Sequence, residues 1–316
     1  MIGKIKEFLS KDDNPLVSKN IRFSYTDEDV LKDINLVTKK NKIYSIIGKS
    51  GSGKSTFLKL VAGVISKKYE GKIRIFGKYR SMNKNSFGFV SQEPGFIPDL
   101  SIENNIKISG LNYGISEKKA LERAKDLMGQ LKLNIDIDRK PTDLSGGQKT
   151  RLGIILSILH DPRMIILDEP FVGLDFKNRW LLWRFLENKR KEGKSILLTS
   201  HLLTEIQEHV DKIIILKDGK VFFKGQLEKL KNKLNMNYIY EVRFSWLAQS
   251  KWEKLKEYCD KKDEVDIIEK YEKHCVFSLK SEEARKNLDK KFKRIGLKDN
   301  IINFREPNLD EIFLKT

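Results

Sequence analysis

Cysteine is almost absent from this 316-residue chain: there are two, Cys259 and Cys275, both in its C-terminal part. Two thiols cannot build the disulfide framework of a small secreted domain, and neither has the spacing of a metal-ligand pair. The simplest reading is a reduced, intracellular protein. Long apolar runs are also missing. The longest, residues 195–203 and 213–216, fall far below the roughly 20 residues that span a bilayer. Residues 1–10 carry Lys4, Lys6 and Glu7 and do not read as a secretory leader. Action at a membrane would therefore need a partner to supply the membrane part. No internal repeat or low-complexity tract stands out.

Positive charge, by contrast, is plentiful. The chain holds 62 Lys and Arg against 44 Asp and Glu, a formal net charge of +18. Residues 236–316 take 18 of the former and 16 of the latter, so nearly all the excess lies in residues 1–235. Such a field can favour nucleotides, nucleic acid or an anionic membrane face, although a Lys-rich solvated surface needs no ligand. Basic charge without interleaved aromatics is a weak nucleic-acid signal, and no nucleic-acid partner is expected.

The length suggests about two domains. Residues 1–15 read as an N-terminal extension: Ile2, Ile5, Phe8 and Leu9 share one helical face, and Asp12-Asp13-Asn14-Pro15 ends it. Strands are expected at 16–25, 34–38 and Ile43–Ile47, then a Gly-rich turn and a helix over 55–64. Residues 95–160 form a helical insertion, in which Ser116 is placed to cap a helix bearing Ala120, Leu121, Ala124, Leu127, Met128 and Leu131. Strands return at Met164–Leu167, Ser195–Thr199 and 212–216, each after a helical stretch, as in a parallel core sheet. From 236 the order becomes strand, helix, strand, strand, helix, strand: an appended α+β domain of ferredoxin-like type, with helices over 246–258 and 281–292.

Three motifs carry chemistry. Gly48-Lys49-Ser50-Gly51-Ser52-Gly53-Lys54-Ser55-Thr56 has the form of a phosphate loop between a strand and a helix. Its glycines let backbone N–H groups converge on phosphate oxygens. Lys54 would reach the terminal phosphates and Ser55 would ligate magnesium. Met164–Leu167 is an apolar strand ending in Asp168-Glu169-Pro170. Carboxylates belong at such a tip because a strand interior buries them only at high cost. Asp168 would hold magnesium, and Glu169 would polarise an attacking water. The third motif is Leu144-Ser145-Gly146-Gly147-Gln148, opening an apolar helix. A Ser hydroxyl, bare amides and the helix dipole there make a second anion site.

Together these motifs resemble the ATP-binding-cassette ATPases over about residues 16–230. The resemblance implies a P-loop NTPase cassette of α/β class, with a parallel core sheet, an antiparallel β subdomain and a helical insertion. It implies ATP and magnesium as cofactors. It also implies a head-to-tail pair, in which the signature of one copy, or of a related cassette chain, completes the nucleotide site of the other. Tyr25, 23 residues before Gly48, matches the aromatic that stacks on adenine. Gln92 matches the glutamine that contacts magnesium and water and senses the membrane partner. Asp175 matches the aspartate of the dimer-crossing loop, and His201 the switch histidine at the γ-phosphate. His160, His209 and His274 lack such context and read as surface or structural residues. Two departures stand out: Lys149-Thr150-Arg151 after the signature, and Phe171-Val172 where small or polar residues are commoner, expected to alter the dimer contact.

The tail Pro307-Asn308-Leu309-Asp310-Glu311-Ile312-Phe313-Leu314 resembles that of single-cassette subunits of drug, lipid and polysaccharide exporters, which work with a separate six-helix permease. The expected setting is then the cytoplasmic face of the membrane, held there by that partner. A soluble cassette protein acting on ribosomes or nucleic acid is the alternative. Such proteins resemble two cassettes in one chain, and one loop and one signature occur here. A chromosome ATPase would insert a long coiled coil between Thr56 and Leu144, and a separation of 88 positions leaves no room for it.

Overall fold

Among the described residues the strands fall into three sheets. The computed structural model describes residues 14–93, 95–234 and 236–314, so the apolar face expected over residues 1–10 lies outside the described residues. Contacts divide the chain into two compact units.

In the first unit, a four-stranded antiparallel sheet runs β2 (Asp29–Val37), β1 (Val17–Ser24), β4 (Glu70–Ile75), β5 (Lys78–Tyr79). A six-stranded sheet has the order β10 (Lys220–Gly225), β9 (Lys212–Lys217), β3 (Ile43–Ile47), β8 (Ser195–Thr199), β7 (Met164–Leu167), β6 (Phe87–Val90). From β9 to β6 the pairing is parallel throughout. Every residue of β3, β7 and β8 is buried. Both faces of this sheet are covered, which is why those strands are largely apolar along their length. Successive side chains point to opposite sides. Ile43, Ile165, Leu167, Ile196 and Leu198 enter one core, shared with the helical insertion. Tyr44, Ile46, Met164, Ile166 and Leu197 enter the other, shared with the antiparallel sheet.

Helix α1 (Lys54–Ala62) follows β3, and the insertion contributes α2 (Ile102–Asn112), α3 (Glu117–Gln130) and α4 (Gly146–Ile158). Ser101 caps α2, its hydroxyl accepting from Asn104 N at 3.2 Å. Ser116 stands at the cap of α3 as expected, though its side chain accepts no cap hydrogen bond. Helix α5 (Phe176–Lys191) packs on β8. The next helix, α6 (Leu203–His209), is split: its residues 203–208 group with the second unit.

That second unit otherwise begins at Gly225, ahead of the boundary expected after 235. It opens with α7 (Leu227–Lys233). Its sheet has the order β12 (Val265–Tyr271), β13 (His274–Leu279), β11 (Tyr238–Phe244), β14 (Asp299–Arg305), all neighbours antiparallel. Helices α8 (Gln249–Asp260) and α9 (Glu282–Arg294) complete the split strand–helix–strand arrangement expected for this domain. The helix expected from 246 starts only at Gln249, because Ser245 N donates to Lys298 O at 3.1 Å and keeps the chain extended beyond β11. Cys259 and Cys275 lie in this core, and burial pushes their thiols up to about 12 and 11, so they act as packing residues. The last helix, α10 (Leu309–Leu314), packs on α7 and buries Leu309 and Ile312. The side chain of Phe313 lies outside the described residues. Among the described residues no helix is long and apolar enough to cross a membrane.

Candidate functional site

Chain leaving β3 turns through Gly48 into α1. A Cβ at Gly48 would overlap Leu216 O and Ser52 Oγ, and one at Gly53 (φ +97°) would come within 2.7 Å of Leu31 Cδ2. Only glycine lets the loop close this tightly. Lys49, Ser50 and Gly51 are exposed at its crest, whereas Ser52 and Lys54 are buried. Helix α1 starts without a side-chain cap and without an acid in its first turn, so its leading amides remain available to an anion. Lys54 Nζ donates to Gly48 O at 2.8 Å and Lys49 O at 3.2 Å. Burial holds the Lys54 ammonium below its ordinary pKa, against the pull of Glu169 and Asp168. Tyr25 is half exposed beside the loop, with its hydroxyl 3.5 Å from Thr56 Oγ1 and its ring at the edge of Phe23.

At the foot of this loop ends β7. Asp168 is 1% exposed. Its Oδ1 accepts from Ser55 Oγ at 2.9 Å and Thr199 Oγ1 at 2.7 Å, while Oδ2 is buried with no donor. Glu169 follows at φ +51°, with its amide donating to Thr199 Oγ1 at 2.9 Å. Its carboxyl is buried, and that burial raises its pKa, while His201 and Lys54 pull the other way. His201 Nε2 stands 2.9 Å from Glu169 Oε1. Gln92 is exposed and borders a cleft of about 50 Å³ with Glu169, Pro170, Val172 and Thr150.

The structure thus gathers the loop, Asp168, Glu169, His201 and Gln92 in one place. Thr199 belongs with them, and the sequence reading passed over it as a strand residue. Its hydroxyl, at a strand tip two residues before His201, donates to Asp168 Oδ1 and accepts from the Glu169 amide, a link that no local sequence pattern announces.

Ser145 and Gln148 form a reciprocal cap on α4: Gln148 N reaches Ser145 Oγ at 3.4 Å, and Ser145 N donates to Gln148 Oε1 at 2.9 Å. The Ser145 hydroxyl can still donate, and Gly146 and Gly147 offer the open amides of the first turn. Among the described residues, no hydrogen bond or ion pair joins residues 145–148 to the phosphate loop. Asp175 caps α5, with Oδ1 accepting from Asn178 N at 2.8 Å. Phe171 is 3% exposed and stacks on Trp183 with centroids 4.4 Å apart, so it packs in the core. Val172 is exposed. His160 stacks on Tyr113 and His209 pairs with Glu187, in keeping with structural roles.

Known proteins resemble this chain in sequence and fold. The family described as ABC transporter matches residues 31–172, which contain the phosphate loop, the signature and the acidic strand end. The lantibiotic transport ATP-binding protein SrtF of Streptococcus pyogenes is 32% identical over 71% of this chain and 98% of its own. The linearmycin resistance ATP-binding protein LnrL of Bacillus subtilis is 25% identical over 95% of this chain and 97% of its own. Among solved structures, the dimeric post-hydrolysis state of the cassette MJ0796 bound to ADP and Pi superposes with a TM-score of 0.61, at 28% identity, over 67% of this chain and 98% of that one. The chain belongs to the ABC transporter family and is an ATP-binding-cassette ATPase.

Proposed function

We propose that this chain is the energising subunit of an exporter, pairing head to tail around two MgATP and driving a separate transmembrane permease. The linked cluster Ser55–Asp168–Thr199–Glu169–His201 beneath an uncapped helix end carries the reading. Lys54 exchanges its two loop carbonyls for the terminal phosphates, and Tyr25 stacks on adenine. The phosphate loop, Gly48 to Thr56, cradles the phosphate chain. Ser55, Asp168 and Gln92 hold magnesium, which neutralises phosphate charge; the unpartnered, buried Asp168 Oδ2 fits that assignment. Glu169 orients the attacking water and His201 steadies the γ-phosphate. Ser145, Gly146, Gly147 and Gln148 serve the nucleotide of the other copy, with Asp175 at the crossing between them.

The permease contact falls to a groove of about 780 Å³ bordered by Val64, Arg80, Lys84, Phe89, Tyr113 and Leu156, which runs up to Ser91 beside Gln92. An amphipathic segment suits such a groove. Export is favoured by the likeness to lantibiotic-transport and linearmycin-resistance proteins, the latter extending through the C-terminal unit. Residues 236–316 are assigned a regulatory or dimer-stabilising role.

Ser145→Arg tests the pairing. It should lower ATP turnover roughly a hundredfold, the scale of losing one preorganised donor, while the isolated chain still binds ATP normally. Full turnover by a chain that remains monomeric would refute the two-copy reading. Co-purification with ribosomes in place of a membrane fraction would instead favour a soluble role.

A further inference from the structure

Strand β8 ends in a hydroxyl that packing alone does not require. Thr199 is 0% exposed and closes a strand whose every residue is buried. A hydroxyl in such a place costs free energy unless it is hydrogen-bonded, and an aliphatic β-branched residue would fill the space without that cost. The neighbours of β8 are the two strands that lead to the site. Thr199 pairs with Ile46 of β3, just ahead of Gly48, and Leu198 pairs with Leu167 of β7, directly before Asp168. Thr199 therefore sits between the strand that feeds the phosphate loop and the strand that ends in the acids.

The direction of its hydrogen bonds is fixed. A backbone N–H can only donate, so the Thr199 oxygen accepts from the Glu169 amide, at 2.9 Å. Its single O–H proton goes to Asp168 Oδ1, at 2.7 Å. Ser55 Oγ donates to that same oxygen at 2.9 Å, while Asp168 Oδ2 is buried without a partner. Two donors on one oxygen restrict rotation of the carboxyl group, and so set where the other oxygen lies. One donor, Ser55, belongs to α1 on the nucleotide side. The other, Thr199, belongs to the sheet. The hydroxyl that holds Asp168 also holds the backbone of Glu169 at φ +51°.

We infer that Thr199 is a positioning residue for hydrolysis: its one hydroxyl aims Asp168 and seats Glu169, so that the two carboxylates keep a fixed spacing. The inference rests on the roles proposed above for Asp168 and Glu169. Thr199 acts through these acids and needs no contact of its own with nucleotide or metal. Partners behind a ligating carboxylate commonly set metal affinity or activity by about 10–100-fold.

The test replaces Thr199 in the full chain by Val, Ala and Ser. Thr199→Val keeps the branched shape without the hydroxyl, Thr199→Ser keeps the hydroxyl without the methyl, and Thr199→Ala keeps neither. Mn2+ binding is read by electron paramagnetic resonance with the chain in excess over ADP, where no turnover occurs. ATPase kinetics are read at saturating Mg2+. Val and Ala should each weaken Mn2+ binding and lower kcat by about 10–100-fold, with KM for ATP within about twofold of the parent's. Ser should recover both quantities to within about threefold of the parent. A role in packing alone gives the reverse order, with Val near the parent and Ser impaired, and that order overturns the inference. Parental Mn2+ binding and kcat in the Val and Ala variants overturn it equally. Should Val fail to fold, the comparison of Ala with Ser decides in the same way. A parent chain that takes up no Mn2+ with ADP overturns the magnesium assignment of Ser55 and Asp168 itself, whatever the variants do.

Discussion

Glu169 is held against two ordinary preferences at once. Its backbone occupies the left-handed region at φ +51°, and its carboxyl is buried beside Asp168. Strain of this kind persists where the surroundings over-determine it, here through the Thr199 hydroxyl on its amide. Burial raises the folded-state pKa, so ionised Glu169 costs stability. That cost is fully present above the folded pKa and fades as pH falls to the unfolded value near ~4.3. Glu169→Gln should therefore raise the melting temperature at pH 8, with the gain vanishing near pH 4. A melting temperature unchanged or lowered at pH 8 would contradict the assigned environment. The same variant should lose at least about a hundredfold in ATP turnover. Glu169 was legible in the sequence because a carboxylate pair at the tip of an apolar strand has few other uses. Thr199 was not, because its partners, Asp168 Oδ1 and the Glu169 amide, lie just past β7, thirty residues or more away in the chain.

Among the elements, legibility followed burial. Ile43–Ile47, Met164–Leu167 and Ser195–Thr199 match the expected bounds, because strands covered on both faces are largely apolar along their length. Strand β2 begins at Asp29, five residues before the expected start. Its first half mixes exposed Asp29, Lys32 and Asp33 with buried Leu31, and pairing of Leu31 with Phe23 and of Asp29 with Ser24 of β1 helps define it. Helix caps divided likewise. Ser145 and Gln148 form a reciprocal capping box, while Ser116 occupies its expected cap position without using its hydroxyl. Gly48 marks where an element junction tolerates nothing larger. Leu216 O is backbone in the adjacent strand β9 and cannot move aside, so Gly48→Ala should cost about 1–3 kcal/mol and abolish ATP binding. Thermal denaturation with nucleotide titration would check both parts.

At the scale of the molecule, two units with separate cores share one chain. The boundary expected after 235 came from a change in strand pattern. The observed grouping starts at Gly225 and draws in residues 203–208, because Leu309 N donates to Gln207 Oε1 and α10 packs on α7. A chain cut after residue 235 loses that cover from Leu230, which is fully buried. It should lose roughly 1.5–3 kcal/mol of stability yet keep ATP binding, since the phosphate loop, Asp168 and Glu169 all belong to the first unit. Calorimetry and ATP titration on the truncated chain would decide the matter. Loss of ATP binding in a still-folded chain would contradict the independence of the site.

The sequence by itself determined the cassette class and the nucleotide chemistry. Those depend on short motifs whose residue types and spacing have local physical causes: glycine for a tight anion loop, carboxylates at a strand tip, serine at a helix start. Tertiary structure decided what spacing cannot express. It placed Thr199 between the two acids, sent Phe171 into the core and left Phe176 facing outward, and it put residues 203–208 with the C-terminal unit. The reason is common to all of these: burial and long-range hydrogen bonds depend on which elements pack together, and that packing is a property of the whole chain.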